Sequence, residues 1–475
     1  MPKQTVIMWF RQDLRLADNP ALIAAVEQGR VLSLFILDEG EDWAPGAASR
    51  WWLHHSLSAL NESLQGNLWV LKGDAAQLLP QFAKDQGASH VFWNRCYEPS
   101  RIARDSLLKQ TLKEAKITPG SYNGSLIWEP WENLKKDGTP YKVFTPFYKY
   151  AISNNPPAPP SHVSIQNLDS IGCSQDANRI ERLGLLPKIN WYEELAATWQ
   201  PGETGARAKL EHFIENGLHD YREGRDFPAK RSVSMLSPHL HFGEISPREA
   251  AQAVKQAGEI DTNEEQAEHF VRELIWREFS YYSLYHFPHL CQENIKSQFN
   301  RFPWAADETN LLLWQKGETG FPLIDAGMRE LWQTGYMHNR VRMIVGSFLV
   351  KNLMIHWLEG ARWFWDCLVD ADLANNSCSW QWVAGSGADA APYFRIFNPV
   401  TQSQRFDPQG SYIRKYVPEL AGLSNKAIHD PSSLSQEELQ QAGVTLGENY
   451  PRAIVDLKES RVRALDAYKS LADQG

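Results

Sequence analysis

Cysteine is scarce in this chain of 475 residues. The five present, Cys96, Cys173, Cys291, Cys367 and Cys378, are scattered, odd in number and form no C-x-x-C pair. That spacing argues against a cysteine-built metal site and a disulfide framework, and for a reduced, cytoplasmic compartment (nucleoid-associated in a bacterium). No run of ~18 apolar residues occurs, so no membrane-spanning helix is expected. The amino terminus, MPKQTVIMWFRQDLR, turns polar within a few residues of its apolar run and does not read as a signal peptide. Basic excess is lacking as well: the net charge is −9. Any nucleic-acid binding has to rest on a local basic rim. The loop after the first apolar run is Arg11-Gln12-Asp13-Leu14-Arg15, without the G-x-G-x-x-G fingerprint, which argues against a nicotinamide enzyme of the usual type.

Aromatic residues, by contrast, are plentiful. The chain holds 19 Trp, 16 Tyr and 20 Phe, too many for a solvated, disordered chain. Most are expected to pack cores. The length suits two domains.

Short β-branched or aromatic runs alternate with helical patterns in the first part. Thr5–Phe10, Val31–Ile36, Asn67–Leu71 and His90–Trp93 read as buried parallel strands, and Ser125–Trp128 as another. Pro20–Gln28 and Ser49–Leu64 read as helices between them. This alternation predicts an α/β domain over 1–130, with a parallel, doubly wound, Rossmann-like sheet. Residues 131–200, with the run Asn154-Asn155-Pro156-Pro157-Ala158-Pro159-Pro160, read as a connector. From 201 to 475 helical patterns dominate, and Glu264–Phe287 and Leu323–Leu358 are long and apolar. The second, larger domain is predicted to be all-α.

Three stretches in the helical part carry chemistry. Asp370–Trp382 sets two carboxylates and several amides beside Trp380 and Trp382. Buried polar groups need partners, and a ligand with an aromatic ring system and many donors and acceptors supplies them. A surface loop with chance aromatics is the plainer alternative. Glu273, Trp276 and Arg277 share helical spacing, as a half-buried salt bridge over an aromatic also would. Asn339 and Met343 stand one turn apart, as they would on any amphipathic helix.

Together, RELIWREF, TGYMHNRVRM, DADLANNSCSWQWVAGSGADAAPYFRIFNP and the amino-terminal MWFRQDLRLADNPAL closely resemble the motifs of the photolyase/cryptochrome family. The resemblance runs essentially end to end and lies nearest the photolyases for cyclobutane pyrimidine dimers. It implies an antenna-chromophore α/β domain, a connector, and a helical domain holding FAD and binding the DNA lesion.

The resemblance also assigns residues. FAD binding falls to Tyr221, Ser234, Leu236, Ser237, Phe270, Glu273, Asn339, Arg342, Asp370, Asp372 and Asn376. Val233 stands where some relatives have threonine. Asn376 matches the residue facing flavin N5, where an amide cannot readily deliver a proton; plant cryptochromes tend to have Asp there and animal ones Cys. Trp276, Met343 and Trp382 match the walls of the pocket for a flipped dimer. Glu273 and Asn339 match the groups that hydrogen-bond the dimer. Relatives specific for (6-4) lesions carry His at both positions held here by Asn339 and Met343. Trp380, Trp357 and Trp304 match the tryptophan chain that reduces the flavin, although plain core packing would also explain them. Arg225, Arg277, Arg340 and Arg395 match the DNA-contacting rim.

The implied activity is light-driven dimer repair by a monomeric deoxyribodipyrimidine photolyase acting on DNA. A blue-light receptor on the same fold is the alternative; it would be expected to signal through a tail, and this sequence stops soon after a helical Ile454–Asp473. A light-independent flavoprotein is a third class and leaves the pocket residues unexplained. A second antenna chromophore is implied, of folate or deazaflavin type. Tyr97-Glu98-Pro99-Ser100-Arg101 departs from one branch's folate motif by placing Arg where that branch has Glu.

Overall fold

Five strands build one wholly parallel sheet in the order β3-β2-β1-β4-β5: β1 (Gln4–Phe10), β2 (Gly29–Leu37), β3 (Leu68–Lys72), β4 (His90–Asn94) and β5 (Thr118–Tyr122). Helices Pro20–Gln28, Ala47–Ser63, Ala75–Asp85 and Pro99–Glu114 link successive strands. The computed structural model describes residues 4–40, 43–161, 168–174, 176–261, 263–389 and 394–472. The order reverses between β1 and β4, which makes the sheet doubly wound, as the α/β reading requires. Strand alternation is visible in the core: Ile7, Trp9, Leu32, Leu34, Ile36, Val91 and Trp93 pack with Leu79, Ala83, Leu108 and Leu112 of the helices Ala75–Asp85 and Pro99–Glu114. β1 and β2 are buried on both faces along most of their length, which is why they read as continuous apolar runs.

One predicted strand is absent. Ser125–Trp128 is irregular, and the N–H groups of Ile127 and Trp128 donate to the buried carboxylate of Glu278 at 2.8 and 3.3 Å instead of to a strand. The fifth strand is Thr118–Tyr122, which contains Pro119-Gly120. Pro119 is tolerated because, among the described residues, β5 pairs with β4 alone and needs no second ladder. At Gly120 a Cβ would lie 2.6 Å from the ring of Phe92, so the close pairing depends on glycine.

The long apolar stretch Leu323–Leu358 is also broken. Helix Pro322–Thr334 stops at Gly335, whose φ of 65° is left-handed. Helix Asn339–Ser347 runs into a π turn at Phe348–Asn352, and helix Trp357–Cys367 restarts behind the cap residue His356. The segment around Asn376 and Trp380 is the helix Leu373–Ala384 and not a surface loop. Residues 390–393 of the DAAPYF motif lie outside the described residues. Among the described residues no helix is long and apolar enough to cross a membrane.

The chain divides into two compact units. One comprises Met1–His219, Ser234–Pro288 and Val369–Ala374, and so contains the sheet; the other comprises Asp220–Val233, His289–Leu368 and Asn375–Gly475.

Candidate functional site

The sheet-containing unit holds Ser234, Leu236, Ser237, Phe270, Glu273, Trp276, Arg277, Asp370 and Asp372. Their positions follow from three local structures. The loop into helix Ser237–His241 turns at Met235, whose φ of 57° is left-handed, while Leu236 returns to the right-handed region. Such alternation aims successive backbone N–H groups to one side and makes a concavity suited to anions. Ser237 is exposed and donates its hydroxyl to Asp370 at 2.6 Å. Helix Glu264–His286 carries the remainder: Phe270 is buried against Phe213, and Glu273 and Trp276 are half-buried.

Asp372 is the electrostatic centre of this unit. Burial alone would raise its pKa. The hydrogen bond and electrostatic pull of His241, the charge of Arg277 and the hydroxyl of Tyr281 overcome that and hold it at about 2. It is therefore a buried carboxylate anion, able to accept hydrogen bonds from a ligand. Burial, then the adjacent Asp372, pushes the Tyr281 phenol well above its ordinary range and keeps it a donor.

Trp276 lies flat on Phe144, with ring centroids 3.6 Å apart. Arg277 departs from its predicted role. Its side chain is only 11% exposed, and it donates to the carbonyls of Ser125 and Leu240 and to Glu278. Interior acceptors hold it, so it braces the fold instead of reaching a phosphate.

The second unit holds Tyr221, Arg225, Trp304, Asn339, Arg340, Arg342, Met343, Trp357, Asn376, Trp380, Trp382 and Arg395. Asn339, Arg340, Arg342 and Met343 follow one another on helix Asn339–Ser347, whose cap is the Nδ1 of His338 accepting from Arg340 N. Asn339 is exposed, and Arg342 and Met343 are half-buried. Arg342 Nε donates to Met337 O at 2.6 Å, and its guanidinium covers Tyr336. Arg340 pairs with Asp226 at 2.5 Å and lies 4.4 Å over the ring of Phe406. Arg225 lies over buried Tyr221, and Arg395 is exposed.

On helix Leu373–Ala384, Asn376 is buried and donates its amide to Ala361 O at 3.0 Å. Buried Trp380 packs edge-on to Trp314 and Phe364, while Trp382 is half-buried. Trp357 is fully buried and donates to Asn294 Oδ1 at 2.9 Å; Trp304 is half-buried.

Sequence reasoning missed Phe144, His241, Tyr281, Asp226 and Asn294, the residues that hold the expected ones. Only Tyr281 left a signal, one helical turn beyond Arg277. Within the sheet-containing unit, the buried carboxylates Asp370 and Asp372 suit a polar ring edge or hydroxyls and the turn at Ser234–Ser237 suits a phosphate; within the other, Asn376 offers an amide and Arg342 a guanidinium.

Two family profiles match the chain, "DNA photolyase" over residues 6–162 and "FAD binding domain of DNA photolyase" over 270–470. A deoxyribodipyrimidine photo-lyase of Agrobacterium fabrum is 46% identical over 98% of both chains. Cryptochrome-2 of Arabidopsis thaliana is 39% identical over 97% of this chain and 78% of its own. The crystal structure of a bacterial class III photolyase from Agrobacterium tumefaciens superposes with a TM-score of 0.94 at 45% identity, covering 100% of this chain and 98% of that one.

Proposed function

Because this chain belongs to the DNA photolyase family, we propose that it repairs cyclobutane pyrimidine dimers in DNA under blue light. The observation that carries this reading is the pairing of a carboxylate with an aromatic face backed by Phe144, Glu273 beside Trp276 on helix Glu264–His286, which suits a flipped dimer. Glu273 and Trp276 stand half-buried on one helix, and Asn339 and Met343 stand one turn apart on another.

When bound, reduced FAD supplies light absorption and the single electron that opens the cyclobutane ring and then returns. The chain does the rest. Asp370, Asp372, Asn376 and Arg342 hold the cofactor and balance its charge, with Tyr221, Ser234, Leu236, Ser237 and Phe270 completing its site. Asn376 offers an amide where an acid would deliver a proton. Trp276 and Trp382 stack on the extruded bases, Met343 fills the slot, and Glu273 and Asn339 hydrogen-bond the dimer edge. Glu273 stabilises the charge that builds on a dimer carbonyl, so Glu273→Ala lowers repair yield more than FAD content. Arg225, Arg340 and Arg395 contact phosphates and position the strand. Trp380, Trp357 and Trp304 refill the oxidised cofactor with electrons. A folate or deazaflavin antenna in the sheet-containing part completes the reading.

The test is a thymine-dimer oligonucleotide mixed with photoreduced protein, with pyrimidine absorbance followed in light and in darkness. Light-dependent recovery is expected. No recovery from protein that holds reduced FAD would sink repair and favour the photoreceptor reading, to which the Arabidopsis cryptochrome similarity points.

A further inference from the structure

A third ring joins two of the three tryptophans assigned to electron transfer. The His356 imidazole lies 4.9 Å from the Trp304 ring, centroid to centroid, at an interplanar angle of 71°. It lies 5.6 Å from the Trp357 ring at 30°. The second contact joins chain neighbours, but the first spans 52 positions and is set by the backbone. Ala305 N donates to Met354 O at 2.7 Å, and Ala305 bridges Ile355 in parallel, which clamps the segment bearing Trp304 beside the one bearing His356.

His356 is also oriented from its own helix. Its Nδ1 accepts from Leu358 N at 3.2 Å and caps helix Trp357–Cys367. An accepting Nδ1 carries no proton, so the ring is the neutral Nε2–H tautomer. Burial, then the charge of Arg362, lowers its pKa and keeps it in that form. A neutral ring places no positive charge against a hole moving between the indoles. The indole N–H groups meet neutral acceptors, Asn294 Oδ1 for Trp357 and Phe299 O for Trp304.

Electron tunnelling falls steeply with the width of a nonbonded gap, so an aromatic ring in van der Waals reach of both partners shortens the effective path. We propose that His356 is a positioning residue of the electron chain, its imidazole filling the space between Trp357 and Trp304 and carrying the path between them. One electron leaves Trp304 and fills the hole on Trp357, which has refilled Trp380; a thiol reductant in solution then restores Trp304. His356 itself neither gains nor loses an electron or a proton. This inference rests on the tryptophan-chain reading above.

Two substitutions separate ring from cap. His356→Phe keeps a ring and loses the cap acceptor, whereas His356→Asn keeps a good cap and loses the ring. Photoreduction of the FAD-loaded protein with thiol under blue light is expected to slow several-fold in His356→Asn, at unchanged thermal midpoint and FAD content. In His356→Phe it is expected to stay near the unsubstituted rate, with a lower thermal midpoint. Nitrogen-15 shifts of His356 in the full chain are expected to report the Nε2–H tautomer at pH 7. Unchanged photoreduction in His356→Asn, an equal loss in both variants, or a doubly protonated ring at pH 7 would overturn the proposal. Trp304→Phe distinguishes the two failures. If it slows photoreduction while His356→Asn does not, only the bridge is wrong; if it changes nothing, the tryptophan chain falls and the bridge with it.

Discussion

The ring of Trp276 is backed by that of Phe144, with centroids 3.6 Å and planes 9° apart, although 132 positions of chain separate them. Phe144 is 1% exposed and fixes one face of the indole; under the proposed function the opposite face is the one that stacks on a base. An aromatic pair contributes about 0.5–1.5 kcal/mol beyond area burial, so Phe144→Leu should weaken dimer binding about 2- to 10-fold. Fluorescence anisotropy with damaged and undamaged oligonucleotides reads this. Equal loss on both would mean that Phe144 supports the fold and not the lesion contact.

Arg340 answers to an internal acid. Its pairing with Asp226 means that a DNA phosphate has to compete for the guanidinium. Arg340→Ala should weaken damaged and undamaged DNA alike and reduce the salt slope of binding by about 1. Asp226→Asn should do the opposite and tighten both. Affinity titrations at several salt concentrations check the pair, and an unchanged slope in Arg340→Ala would remove this residue from the rim.

His338 links stability to acid. Burial, with Arg342, Arg225 and Arg340 adding to it against the opposing pull of Asp226, lowers its pKa from 6.5 to about 4. The unfolded imidazole takes a proton near the ordinary value and the folded one only near the lowered value. The stabilisation is therefore complete above pH 6.5 and is lost as pH falls towards 4. The loss between pH 7 and pH 4.5 amounts to about 2 kcal/mol. His338→Asn keeps a capping acceptor for Arg340 N and should flatten that part of the acid limb, as measured by urea unfolding at the two pH values.

Gly360 makes room for Trp380. A Cβ there would sit 2.1 Å from the indole, on the helix that begins at Trp357. Glycine to alanine inside a helix ordinarily stabilises by about 0.5–1 kcal/mol. Here overpacking should reverse the sign and cost about 1–3 kcal/mol. Calorimetry of Gly360→Ala should show a fall in the melting temperature, together with slower photoreduction as Trp380 is displaced. A rise would mean that the ring relaxes without cost.

Much of this protein was readable locally. β1 to β4 are short apolar runs, the helices between them carry the helical period, and those patterns live within single elements, so the α/β-then-helical order needed no tertiary knowledge. The motifs around Glu273, Asn339 and Asn376 were legible through resemblance. Tertiary structure alone decided the rest. Thr118–Tyr122 became a strand because β4 offered an edge, while Ser125–Trp128, the better strand former, gave its N–H groups to Glu278. Arg277 carries the charge of a phosphate contact, but its acceptors lie on Ser125 and Leu240. Asp372 is held anionic by His241 and Tyr281, 131 and 91 positions away. Local propensity depends on neighbours within a turn or a strand. Whether a charged or aromatic side chain meets solvent, a ligand or an interior partner depends on packing between distant segments, and that information appears only once the chain has folded.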